Sequence, residues 1–157
     1  MRTPKIYLET SVFNFVYADD APEKRDITKR LFEEIKENLY LPFTSVYVRD
    51  EIESASAERK EKMLDLLLDR NMKILQKSDE IVHLAELYIS EGIIPNKYRT
   101  DALHIAAATV KNLDIIVSWN FEHIVKRKTV IMTEAVNLCN GYKKIDIHCP
   151  TEVIRNV

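Results

Sequence analysis

Three acidic residues stand apart from the rest of the 25 in this chain because of what surrounds them. Glu9 directly follows an apolar run, Glu51 interrupts an otherwise apolar helical face, and Asp101 opens an alanine-rich stretch that reads as buried. Most acidic residues are solvated helix faces, so a carboxylate in apolar company needs a reason. Carboxylates gathered in one cleft repel each other and raise each other's pKa unless a cation compensates. Mg²⁺ and Mn²⁺ suit such a group, since hard cations prefer oxygen ligands and combine one or two carboxylates with phosphate. The chemistry that follows is hydrolysis of a phosphodiester, with the cation neutralising charge that develops on phosphate.

The elements that must position these residues can be read from periodicity. Residues 5–8 form a short buried strand that ends at Glu9, and a helix begins around 12–17. Over residues 23–38, Ile27, Leu31 and Ile35 recur at helical spacing, with Leu39 beyond. A second strand is expected at 39–43, and Ser45 caps a helix that carries Glu51. Helical patterns follow at 56–69 and after a cap at Ser78 or Asp79, the latter helix stopped by Gly92, with a brief strand at 72–75 between them. Thr100 is placed as the cap of a helix over 101–112, followed by a strong strand at 114–118. A short helix, a further helix over 133–139 and a last strand at 145–148 complete the chain. Strands separated by helices predict a three-layer α/β/α sandwich with a mainly parallel central sheet, one domain over 1–157. Ligands of such sheets sit beyond the carboxyl ends of the strands, where Glu9 and Ser118-Trp119-Asn120 fall.

Composition narrows the function classes. The chain has 157 residues, 46% hydrophobic and 31% charged, with two glycines, Gly92 and Gly141. Glycine-rich phosphate loops are therefore absent, and nucleotide-cofactor chemistry is disfavoured. Neither a GxSxG elbow nor a Ser-His-Asp arrangement with local context supports an α/β hydrolase. The net charge of −2 supplies no global attraction for nucleic acid, so a nuclease would rely on a local basic patch and metal ions. Cys139 and Cys149 have no zinc-ligand spacing, which agrees with idle thiols in a reducing cytosol. The N-terminus is too polar for a signal peptide and no apolar run reaches membrane-spanning length, so a cytoplasmic location is expected.

Four stretches also resemble the motifs of PIN domains, in the family's order and over nearly the whole chain. Tyr7-Leu8-Glu9-Thr10-Ser11-Val12-Phe13 resembles the opening motif, an acid followed by a hydroxyl pair. Thr44-Ser45-Val46-Tyr47-Val48-Arg49-Asp50-Glu51-Ile52 is similar to the second, and Thr100-Asp101-Ala102-Leu103-His104-Ile105-Ala106-Ala107-Ala108 to the third. Val117-Ser118-Trp119-Asn120-Phe121-Glu122-His123-Ile124 resembles the fourth, as found in VapC-like toxin relatives. The resemblance implies a Mg²⁺- or Mn²⁺-dependent endoribonuclease acting on single-stranded RNA, commonly the toxin of a toxin–antitoxin pair. It implies Glu9, Glu51 and Asp101 as metal ligands, Thr10 or Ser11 as hydrogen-bonding aids, and Asn120 as the residue that orients water or substrate. An antitoxin protein is the implied protein partner, and a homodimer of this chain is expected beside it.

Two positions depart from the family pattern. Glu9 stands where many members have aspartate, and its extra methylene carries the carboxylate about 1.5 Å farther from the backbone. Asn120 stands where many members have a fourth acid, and an amide oxygen adds no negative charge. Three charges predict one tightly held metal rather than two, and they leave open a catalytically silent module that binds RNA or a protein partner.

The remaining candidates each have two readings. His104 lies three residues beyond Asp101 on the same helical face, either touching phosphate or hydrogen-bonded in the core. His123 reads as a residue that pins a loop, and Trp119 as a packed side chain or a base-stacking platform. Lys126-Arg127-Lys128 is a dense basic run, either a solvated loop or a guide for RNA phosphates. Lys97 and Arg99 are weaker versions of the same idea. The Met63, Leu64, Leu66, Leu67 and Leu68 cluster exceeds what one helix face needs, so it is core or a dimer or antitoxin surface.

Overall fold

A computed structural model describes residues 2–155, and over these the chain alternates strands and helices. In order they are β1 (Lys5–Leu8), α1 (Thr10–Phe15), α2 (Pro22–Lys36), β2 (Leu41–Ser45), α3 (Val46–Glu53), α4 (Ala57–Asp69) and β3 (Lys73–Leu75). Then come α5 (Asp79–Ser90), a 3-10 turn (Asn96–Tyr98), α6 (Arg99–Val110), β4 (Ile115–Val117), α7 (Arg127–Cys139), β5 (Asp146–His148) and α8 (Pro150–Val153). The strands form one sheet in the order β3-β2-β1-β4-β5, and every pairing is parallel. Parallel crossovers that run in opposite directions from the centre, with the usual right-handed sense, put helices on both faces and make the expected three layers. With both faces covered, β1 reads as an unbroken apolar run, and Ile6, Tyr7 and Leu8 are fully buried.

This order puts β1 at the centre, with its neighbours β2 and β4 reached by connections of opposite direction. The gap between β1 and β4 is therefore the topological switch point, where a crevice opens beyond the strand ends. Glu9 leaves β1 there, and its backbone N–H still reaches across to the carbonyl of Val117 on β4 (3.1 Å).

A chain with two glycines must stop its helices some other way. Asn38, Asn71 and Asn112 take left-handed φ values of 64°, 56° and 56° just past α2, α4 and α6, while Gly92 and Gly141 do so past α5 and α7. Asparagine tolerates this region better than other side chains. In each case the next residue is apolar and donates its N–H back into the last turn: Leu39 to Glu34, Met72 to Leu67, Ile93 to Tyr88, Leu113 to Ala108 and Tyr142 to Asn137. That is the Schellman arrangement with its accompanying apolar contact. It turns the chain sharply after each helix, and three of these stops lead into β2, β3 and β4.

Several expected elements shift. Leu39 closes α2, so β2 starts at Leu41 and runs on to Ser45. Thr100 is not a cap: the 3-10 turn runs directly into α6, which starts at Arg99 and leaves Asp101 in its first turn. The short helix expected after β4 is a set of turns instead. The Asn120 carbonyl accepts the N–H groups of Ile124 and Val125 there. Helix α7 starts at Arg127, well ahead of the expected 133, so the basic run forms its N-terminus. Pro150, expected only to end a strand, opens α8, where its fixed φ suits the first turn.

Asp114, at the start of β4, ties the N-terminus to the sheet. Its carboxylate accepts from Arg2 (2.7 and 3.0 Å), from the backbone N–H of Lys5 (2.8 Å) and from Lys143 (3.2 Å). Partial burial alone pushes this carboxyl up, but those donors outweigh it and hold the pKa well below the usual carboxylate range. The resulting stability is fully present above the unfolded value near pH ~4 and is lost as pH falls through the lower folded value. Asp114→Asn should therefore cost about 1–2 kcal/mol at pH 7. In thermal melts from pH 7 down to pH ~2, the gap between the two proteins closes on acidification; a constant gap contradicts the assignment.

Candidate functional site

Glu9 sits at the N-terminus of α1 as its cap, and its side chain is nearly inaccessible to solvent. Both Ser11 Oγ (2.6 Å) and Ser118 Oγ (2.5 Å) donate to its Oε1. Those hydroxyls are in turn oriented by the loop after β4, since Trp119 N–H donates to Ser11 Oγ (2.8 Å) and Asn120 N–H to Ser118 Oγ (2.9 Å). Two backbone amides thus fix two hydroxyls, and both hydroxyls converge on one oxygen of Glu9. Among the described residues its Oε2 accepts only a long bond from Ser11 N–H (3.2 Å).

Glu51 projects from α3, whose start is fixed by Ser45 accepting from the N–H groups of Tyr47 (3.2 Å) and Val48 (3.4 Å). Its Oε1 accepts from Thr10 Oγ1 (2.7 Å) and lies 2.7 Å from His104 Nε2. His104 is completely buried on α6, and its other ring nitrogen lies 2.6 Å from the Tyr7 hydroxyl. That hydroxyl also meets Ser45 Oγ at 2.6 Å. Glu9, Glu51 and His104 each offer one ligand atom, and all three lie within 4.8 Å of one another.

Asp101 lies outside that tight group. Its Oδ2 is 3.0 Å from His123 Nδ1, and the His123 ring stacks on Tyr98 with centroids 4.0 Å apart. Asn120 turns its amide oxygen to the backbone N–H of His123 (3.0 Å), holding the loop that presents this histidine.

The expected mutual raising of the carboxyl pKa values does not hold throughout, because Asp101 and Glu51 shift in opposite directions. Burial pushes the Asp101 carboxyl above its ordinary value and the charge of Glu9 adds to this, against the opposing pull of His104 and His123. Burial would also raise Glu51, but the His104 and Thr10 contacts reverse the sign and lower it. For His104, burial alone lowers the pKa, and the Glu51 hydrogen bond with the charges of Glu9, Glu51 and Asp101 outweighs it, so the net direction is upward. Each carboxylate has one oxygen fixed by the protein. Among the described residues, Glu51 Oε2 and Asp101 Oδ1 meet no donor. Oxygen donors of this kind fit a small hard dication.

The structure thus brings together Glu9, Glu51, Thr10, Ser11 and His104, with Asp101 within electrostatic reach. Ser118, Tyr7, Ser45 and the role of His123 were missed in the sequence. Ser118 had a signal, a hydroxyl at the carboxyl end of β4, whereas Tyr7 reads only as strand. Trp119 is packed, not presented: its Nε1 donates to buried Thr28 (2.8 Å), and Lys24 Nζ lies over Trp119, Phe15 and Phe121 at 5.3–5.4 Å. Lys126 and Arg127 are exposed at the start of α7. Met63 and Leu67 are core, while Leu68 is 80% exposed. A surface cleft of about 490 Å³ beside Tyr17, Arg59 and Lys62 is lined by none of Glu9, Glu51 and Asp101.

Sequence comparison finds no matching family model and no matching curated protein. Comparison of folds matches nine chains in solved structures. Among these is a chain of the crystal structure of VapBC2 from Rickettsia felis bound to a DNA fragment from their promoter. It is 16% identical, with a TM-score of 0.58 over 92% of this chain and 98% of that one. Identity that low speaks for architecture alone, and the all-parallel sheet, the helical layers and the ordered motifs agree with it: this chain has a VapC-like, PIN-type α/β/α fold.

Proposed function

We propose that this protein is a Mg²⁺- or Mn²⁺-dependent endoribonuclease acting on single-stranded RNA, and the toxin of a toxin–antitoxin pair. The observation that carries the reading is the close approach of Glu9 and Glu51 at the switch point of the sheet, each with one oxygen tied back by hydroxyl or imidazole, with Asp101 within electrostatic reach of Glu9. Glu9, Glu51 and Asp101 would hold the cation, which supplies charge neutralisation for a phosphodiester undergoing attack. The chain's own contribution is orientation. Ser11 and Ser118 keep Glu9 in one rotamer, Thr10 and His104 do so for Glu51, and His123 for Asp101. Lys126, Arg127 and Lys128 add positive charge to the already positive N-terminal end of α7, a disposition suited to RNA phosphates. Exposed apolar side chains, Leu68 on α4 and Ile131 and Leu138 on α7, offer surface for an antitoxin or a second copy.

The test is direct. Incubation of purified protein with diverse single-stranded RNAs should give internal cleavage with Mn²⁺ or Mg²⁺, and none after chelation. Intact RNA under all metal conditions, with no difference between wild type and Asp101→Asn, ends this reading. The orientation of Asn120 favours one alternative, a catalytically silent module that binds RNA or a protein, because its amide serves the loop. Calorimetry separates the two: the silent module binds RNA or partner but takes up no Mn²⁺.

A further inference from the structure

His104 is a buried imidazole beside two carboxylates, which gives it the geometry of either a metal ligand or a support for one. The hydrogen-bond directions decide between them. The Nε2 atom lies 2.7 Å from Glu51 Oε1, and Thr10 Oγ1 donates to that same oxygen. Two lone pairs cannot face each other at such a distance, and an ionised carboxylate has no proton to give. The bridging proton therefore belongs to Nε2.

The other side of the ring agrees. Ser45 Oγ accepts two backbone N–H groups, so its own proton points to the Tyr7 oxygen (2.6 Å). The Tyr7 proton is then directed to His104 Nδ1 (2.6 Å). The proton order runs Ser45 to Tyr7 to His104 to Glu51, from the cap of α3 back to a side chain on the same helix. Neither ring nitrogen has a lone pair left for a metal.

We infer that His104 is a positioning residue for Glu51: anchored by Tyr7 and Ser45, it clamps Glu51 Oε1 through Nε2–H and leaves Oε2 for the cation. This rests on the proposed metal site, but the proton order does not, so the two can fail separately. It is distinct from direct ligation by His104, which the proximity of Glu9, Glu51 and His104 would otherwise suggest.

Long-range ¹H–¹⁵N NMR on the full-length protein with labelled histidine reads the proton order. The expected result is a protonated Nε2 with a slowly exchanging, downfield proton that moves in both Glu51→Gln and Tyr7→Phe. An Nε2 without its proton, or one unaffected by either substitution, overturns the inference whether or not metal binds. Mn²⁺ titration reads the consequence. His104→Leu should weaken binding about 10- to 100-fold, the usual effect of losing a group that orients a ligand. His104→Gln places an amide N–H near the position of Nε2 and should restore most of that affinity. Equal loss in both variants, or added Mg²⁺ removing the Nε2 proton, assigns His104 as a ligand and overturns the inference. Wild-type protein that takes up no Mn²⁺ fails the metal reading; a protonated, Glu51-coupled Nε2 in that same protein still supports the clamp.

Discussion

Glu9→Gln and Asp101→Asn should each reduce metal-dependent RNA cleavage by about 10³-fold, while leaving the fold intact. A cation that loses one of three carboxylates loses several kcal/mol of charge stabilisation, and each 1.36 kcal/mol is a factor of about ten. The substitutions keep shape. In Glu9→Gln an amide oxygen can still accept from Ser11 and Ser118, and in Asp101→Asn one can still face His123. The stability of the metal-free protein separates this loss from misfolding. Asp101 has a raised pKa, chiefly through burial and then through the charge of Glu9. An acid with a raised folded pKa destabilises the native state at any pH above that value, and the penalty disappears on acidification. At pH 7 Asp101→Asn should therefore melt at or above the wild-type temperature without metal, yet gain less from added Mn²⁺. A cleavage loss below about tenfold for both variants would place the chemistry elsewhere.

The largest stability effect is expected at a different carboxylate. Glu34 on α2 has a fully buried side chain, and the sequence presents it as one more charged residue on a surface helix. Both its oxygens accept the backbone N–H of Arg155 (3.1 Å each), Oε1 also accepts from Tyr40 OH (3.1 Å), and Oε2 from Arg30 Nε (3.2 Å). Tyr40 OH reaches further to the carbonyl of Val153 (2.8 Å). One carboxylate therefore joins α2, the residue before β2 and the chain just past α8. Removing it leaves the Arg155 N–H without an acceptor, while Tyr40 OH keeps the Val153 carbonyl and Arg30 turns to water, so Glu34→Ala should cost about 1–3 kcal/mol. For a domain of this size that lowers Tm by roughly 2–12 °C, using ~2–4 °C per kcal/mol. Glu34→Gln, which keeps an acceptor oxygen, should fall in between. A Tm drop under about 2 °C for Glu34→Ala would show the network to be dispensable.

Much of this protein was legible before its structure. Glu9 could be singled out because a carboxylate ending an apolar strand of a parallel sheet must face the ligand crevice. Ser45 and Gly92 announced helix ends because capping is a local matter of one side chain and a few backbone groups. The alternation of strand and helix, with four motifs in order, determined the α/β architecture for the same reason: periodicity is short-range. Where local signals competed, the reading slipped, as at Thr100, whose expected cap was displaced by a 3-10 turn.

What the tertiary structure alone decided is who meets whom. Glu9 and Ser118 are 109 residues apart, and they touch because the sheet order makes β1 and β4 neighbours. Helical spacing put His104 beside Asp101, yet the packing of α3 against α6 gave it to Glu51, and the loop after β4 supplied His123 to Asp101 instead. Asn120 likewise holds a place on the fourth motif, while its side chain serves the turn that presents His123. Side-chain partners depend on sheet order, crossing helices and the few hydrogen-bond directions a buried group can satisfy. None of these is a property of spacing along the chain, so the sequence could offer acidic candidates but not the side chains each of them meets.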